Sequence, residues 1–88
     1  MSDPDPSIAE IFKEEALFLE KELRMCRSLA CITHKLVNHM DNMLAILKST
    51  KNTGVIPHKA WRLGLSICEQ VTKYANHIHN QSHTAQFN

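Results

Sequence analysis

Glycine and proline are scarce in this chain, and where they stand tells more than their number. Two glycines and three prolines occur among 88 residues, with Pro4 and Pro6 confined to the first six positions. From Ala9 to Leu47 there is neither. So little glycine excludes a glycine-rich loop that cradles phosphate. No apolar run approaches the ~20 residues needed to cross a bilayer. The opening Met-Ser-Asp-Pro-Asp-Pro is acidic and lacks the apolar stretch of an export signal. The three cysteines, Cys26, Cys31 and Cys68, are odd in number and form no CxxC pair, which argues against both a disulfide framework and a paired-thiolate zinc site. These absences together predict an intracellular chain, cytoplasmic or nuclear, with reduced thiols and no membrane insertion.

The charge that is present is unevenly placed. The formal net charge is +1, yet residues 1–23 carry seven acids against Lys13 and Lys21, while residues 24–88 carry eight bases against Asp41 and Glu69. The chain is an electrostatic dipole along its length, which favours antiparallel contact with a similarly polarised surface.

The strongest positive signal is a seam of residues in alternating steps of three and four: Ala9, Phe12, Ala16, Leu19, Leu23, Cys26, Ala30, Thr33, Val37, Met40, Leu44 and Leu47. That spacing puts every member on one side of a helix. Ser7 with Glu10 makes a capping box at its start, and no residue stops it before the polar stretch that ends at Gly54. The pattern predicts one long helix over residues 7–49, roughly 60 Å at about 1.5 Å per residue. Pro57 suits the start of a second helix over 57–79, whose apolar residues include Trp61, Leu65, Cys68, Val71, Ala75 and Ile78. A second seam of Met25, Leu29, Ile32, Leu36, Met43 and Ile46 runs beside the first from Met25 onward, interrupted by His39.

The expected fold is therefore all-α, a helical hairpin in which the second helix folds back over the wide half of the first. Residues 1–6 form a disordered leader and residues 80–88 a flexible tail. Residues 7–24 project as an acidic arm whose Phe12, Leu19 and Leu23 nothing in the chain covers. Burying each such side chain is worth about 1.5–3 kcal/mol, so a second chain should cover them and complete a bundle or coiled coil.

The chemistry-bearing residues are weighed against that frame. Six histidines offer His79 with His83, and Cys31 with His34, at helical spacing, but no third ligand and no HEXXH pattern accompany them, so no metal site and no cofactor is expected. His39 is either a buried, hydrogen-bonded polar group that fixes register or an edge residue, with a pH switch as a further option. Cys26 and Cys68 read as small apolar core residues, and no serine or cysteine has the histidine and acid that nucleophilic catalysis needs. The chain is not expected to be an enzyme. Lys48, Lys51, Lys59 and Arg62 gather about the loop and could meet phosphates or an acidic surface, though no aromatic interleaves them. Trp61 either seals the loop end against Leu44, Leu47 and Val55 or anchors an interface.

The function these residues point to is a non-enzymatic protein–protein interaction module, a small helical subunit or oligomerisation domain. By analogy of architecture alone it suggests the small coiled-coil subunits of cytoskeletal, kinetochore or vesicle-trafficking complexes. The partner is a second copy, in a dimer or tetramer, or another helical protein. Phe12, Leu19, Leu23, Leu29, Leu36, Met43 and Trp61 carry the contacts. The alternative is a homodimeric nucleic-acid-binding regulator that uses the basic loop region.

Overall fold

The computed structural model describes the backbone of residues 7–87 and the side chains of residues 7–81. The expected leader, residues 1–6, and the side chain of His83 lie outside the described residues. The all-α class holds, but the helices number three: α1 (Ile8–Leu29), α2 (His34–Thr50) and α3 (His58–Phe87). Ser7 caps α1 as its sequence indicates, its hydroxyl accepting from the Glu10 N–H at 3.2 Å. The expected long helix over 7–49 is broken, and α1 folds back on α2.

No glycine or proline makes that break. Ala30 takes the left-handed conformation, φ 53, and the next three residues lie outside any helix, with Thr33 extended as it enters α2. The Cys31 N–H reaches back to the Cys26 carbonyl at 3.1 Å, the six-to-one bond of a Schellman turn. Thr33 then caps α2, its hydroxyl accepting from the Leu36 N–H at 3.1 Å and donating to the Glu22 carboxylate at 2.9 Å. Glu22 is thereby buried with a partner, and one threonine ties the end of α1 to the start of α2. A left-handed alanine carries a steric penalty of about 1 kcal/mol that glycine avoids. Ala30→Gly is therefore expected to raise stability by about 0.5–1 kcal/mol in urea denaturation. In an unbroken helix the same change would lower it by about 1 kcal/mol, so the sign distinguishes the two folds.

The second connection follows the sequence more closely. Asn52 (φ 63) and Gly54 (φ 77) supply its left-handed positions. Buried Thr50 folds its hydroxyl onto the Ile46 carbonyl at 2.7 Å, and the Trp61 indole N–H donates to the Leu47 carbonyl at 3.0 Å. Both bonds fall on carbonyls of the last turn of α2. The Pro57 carbonyl accepts the first bond of α3, from the Trp61 N–H at 2.9 Å.

The core holds Phe12, Leu19, Leu23 and Cys26 from α1, Leu36, Met43, Ile46 and Leu47 from α2, Ile56 from the loop, and Ile67, Cys68 and Val71 from α3. α3 comes close to α1 through Gly64. A Cβ there would lie 2.7 Å from Phe12 Cε2 and 3.3 Å from Met43 Sδ. Gly64→Val forces the buried Phe12 ring out of place, and thermal denaturation is expected to show a loss of about 2–3 kcal/mol. Higher up, the Tyr74 hydroxyl donates to the Cys26 carbonyl at 2.7 Å, which sets Tyr74 level with the end of α1. Residues 75–87 continue α3 beyond that point for about 20 Å. The segment that overhangs is thus the end of α3, where a frayed tail was expected after residue 79. α1, expected to project as an acidic arm, packs into the bundle, with Glu10, Glu14 and Glu20 exposed and Glu22 buried.

Candidate interaction surface

The helical face of α1 divides cleanly. Phe12, Leu19, Leu23 and Cys26 point inward and are 6% exposed or less. Leu17 points outward at 69% and is the most exposed of the large apolar side chains in the described residues. Across from it on α3 stands Leu63, exposed at 63%. Between these two leucines runs an open apolar hollow of about 330 Å³, floored by Phe12, Ala16, Gly64 and Ile67, with Lys13 and Glu20 at its rim. The absence of a side chain at Gly64 leaves room for this floor as well as for the helix approach. Further along the same seam, Glu20, Arg24, Arg27 and Gln70 line a more polar depression.

Two other hollows lie elsewhere. One sits between α2 and α3, bounded by half-exposed Leu44 and by Leu65, Cys68, Glu69, Thr72 and Lys73. The other, about 420 Å³, lies at the loop, where Lys51, His58, Trp61 and Arg62 surround Thr50, Asn52, Gly54 and Ile56. Of the four basic residues expected at the loop, Lys51 and Arg62 share this hollow, while Lys48 and Lys59 are simply exposed.

The contact residues expected from the sequence separate into two groups. Phe12, Leu19, Leu23, Leu36 and Met43 cannot meet a partner in the folded chain, because they are buried in its own core. The reason is the break at Ala30: once α1 turns back, its apolar stripe faces α2 and α3 rather than solvent. Leu29 is exposed at 64%, at the α1–α2 turn. Trp61 is half-buried and packs against the core, closing the loop end with Leu47 and Ile56, while Val55 stays half-exposed. Sequence reasoning passed over Leu17 and Gly64. Leu17 belongs to neither seam, and an apolar residue off the seam of a helix whose seam is used internally was the available signal. Gly64 offered another, since a glycine inside a helix calls for a close neighbour.

The polar residues act as struts. His39 is half-buried and its ring lies 3.8 Å from that of Phe18, while Nδ1 donates to the Glu15 carboxylate at 2.6 Å. Asn42 reaches the other oxygen of the same carboxylate at 3.4 Å. His39 therefore ties α1 to α2 by a hydrogen bond, though its side chain is 30% exposed rather than buried as the first expectation has it. Burial, with Glu69 beside it, pushes the Cys68 thiol up to about 11, so it stays protonated near neutral pH and is a poor nucleophile. Burial likewise raises the Tyr74 phenol, which remains a donor to the Cys26 carbonyl. All three cysteines are free. Among the described residues, no group of three His, Cys, Asp or Glu side chains is placed to hold a metal, and no helix is long and apolar enough to cross a membrane. Comparison with protein-family models, with curated proteins and with solved structures finds no match for the chain.

Proposed function

We propose that this chain is a non-enzymatic protein–protein interaction module, a small three-helix subunit that receives a further helix in the groove between α1 and α3. The observation that carries this reading is the pair Leu17 and Leu63, two leucines about two-thirds exposed on either side of one apolar hollow. Covering each is worth about 1.5–3 kcal/mol. A helix laid between them would complete a four-helix arrangement with the packing that α1, α2 and α3 already use. The internal polar groups support a binding role over catalysis. Glu15, Glu22, His39 and Tyr74 are engaged in holding helices together, and the buried Cys68 thiol is held in its unreactive form.

The test is native-size chromatography of extracts from the chain's own cells, comparing wild type with the Leu17→Ser/Leu63→Ser double variant. Both residues are exposed, so circular dichroism should show the same helix content in each. The wild type is expected in an assembly larger than the free chain, and the double variant as the free chain. Both eluting alike as the free chain would overturn the reading.

A further inference from the structure

The groove between α1 and α3 is bordered by a stripe whose charges point to one occupant. Along the side of α1 that borders the groove, the charges flanking Leu17 are Glu10, Lys13, Glu20 and Arg24, at −7, −4, +3 and +7 from it, with Glu14 and Lys21 at −3 and +4 on its far side. All four flanking charges are exposed. Read upward, the stripe is negative, positive, leucine, negative, positive. Turned end over end about Leu17, it presents the opposite sign at every position. Among the described residues the ion pair is His39 with Glu15, and none of these four charges is paired with another described residue.

Resting on the interaction-module reading, we infer that the groove is filled by a second copy of this chain, with α1 antiparallel to α1 of the partner copy. A twofold axis across the helices near Leu17 brings Leu17 and Leu63 of both copies to the centre. Lys13 then lies against Glu20 of the other copy and Glu10 against Arg24, and the twofold repeats each pair. A parallel copy would stack each charge on its like, which is unfavourable. The apolar centre supplies affinity and the flanking charges set orientation. The stripe on either side of Leu17, one acid and one base in each half, thus forms one self-complementary surface.

Light scattering on the purified full-length chain is the first measurement, and a dimer is expected at about 100 µM, a concentration suited to micromolar affinity. Leu17→Ser/Leu63→Ser should give a monomer of unchanged helix content. Lys13→Glu and Glu20→Lys each turn two attractive pairs into two repulsive ones, so each should weaken the dimer on the order of ten-fold or more. The double variant Lys13→Glu/Glu20→Lys should regain the wild-type dissociation constant. An equimolar mixture of the two single variants should pair as a heterodimer. A wild-type chain that stays monomeric at that concentration overturns the inference, and so does a dimer indifferent to both charge reversals. If the purified chain is monomeric while Leu17→Ser/Leu63→Ser still releases it from assemblies in extract, the self-pairing falls and the module reading stands.

Discussion

A chain lacking residues 1–23 is expected to lose its cooperative fold. The removed segment carries Phe12, Leu19 and Leu23, all buried in the core. At about 1.5–3 kcal/mol each, their burial amounts to roughly 5–9 kcal/mol. The whole stability expected of a domain this size is of the same order, about 4–13 kcal/mol at about 0.05–0.15 kcal/mol per residue. The deletion also strips the carboxylate of Glu22 from Thr33 and that of Glu15 from His39, so α2 loses a strut at each place. Far-UV circular dichroism should show a marked fall in ellipticity per residue, and a thermal scan should show no sigmoidal transition. An arm that merely projected would give the contrary result, a truncated chain that keeps a helical hairpin with a sharp melt.

Leu19→Ala is expected to lower stability by about 3–4 kcal/mol, and Leu17→Ala to change it by less than about 0.5 kcal/mol. The two leucines are two residues apart on the same helix. Leu19 is 0% exposed and Leu17 69%. Emptying the Leu19 site removes a buried side chain and leaves a cavity among tightly held neighbours, where such substitutions commonly cost about 2–5 kcal/mol. Truncating Leu17 removes surface that is already largely in water. Urea denaturation of the purified chains, run at a concentration low enough to hold them monomeric, checks both values. On the inferred self-pairing, Leu17→Ala should be the more damaging of the two for association, although it is the milder for folding.

The fold was partly legible because hydrophobic spacing is local. The start of α1 at Ser7, the turn through Gly54, the start of α3 near Pro57 and the all-α class all follow from residues within a few positions of each other. The break at Ala30 was not legible in the same way. Its left-handed position is filled by alanine, and the non-helical stretch by Cys31, Ile32 and Thr33, none of which forbids a helix. What offsets the strain is tertiary: turning back buries Leu19 and Leu23 against Leu36 and Met43. The trace this leaves in the sequence is a change of seam. Up to Cys26 the buried apolar residues belong to the first seam, while in α2 Leu36, Met43 and Ile46 belong to the second and Leu47 to the first. Two seams side by side describe a helix that is wide on one side if it is continuous, and a change of register if it is not. Spacing alone does not choose between them. Thr33 was a second trace, a threonine able to cap a new helix, but no glutamate or glutamine follows three residues later to complete a capping box.

The error at the break carried directly into the surface. With α1 and α2 read as one rod, the inward leucines of α1 had no cover and looked like the interface. Once α1 turns back, those leucines lie in the core, and the exposed apolar residues include Leu17 and Leu63, one on each wall of the groove, and Leu29 at the α1–α2 turn. The uneven charge along the chain is a different feature from the stripe on α1, which alternates in sign and draws Glu10, Lys13 and Glu20 from the acidic segment 1–23.

The turn at Ala30 is the central claim, and nuclear Overhauser effects in the unmodified chain test it most directly. The rings of Phe18 and His39 lie 3.8 Å apart between centroids, whereas one continuous helix would separate these residues by about 30 Å. The structure predicts cross-peaks between the two rings, arising within one molecule in an isotope-filtered experiment, with helical connectivities interrupted from Ala30 to Thr33. Helical connectivities running unbroken through Ala30–Thr33, without any contact between Phe18 and His39 in one molecule, would contradict it.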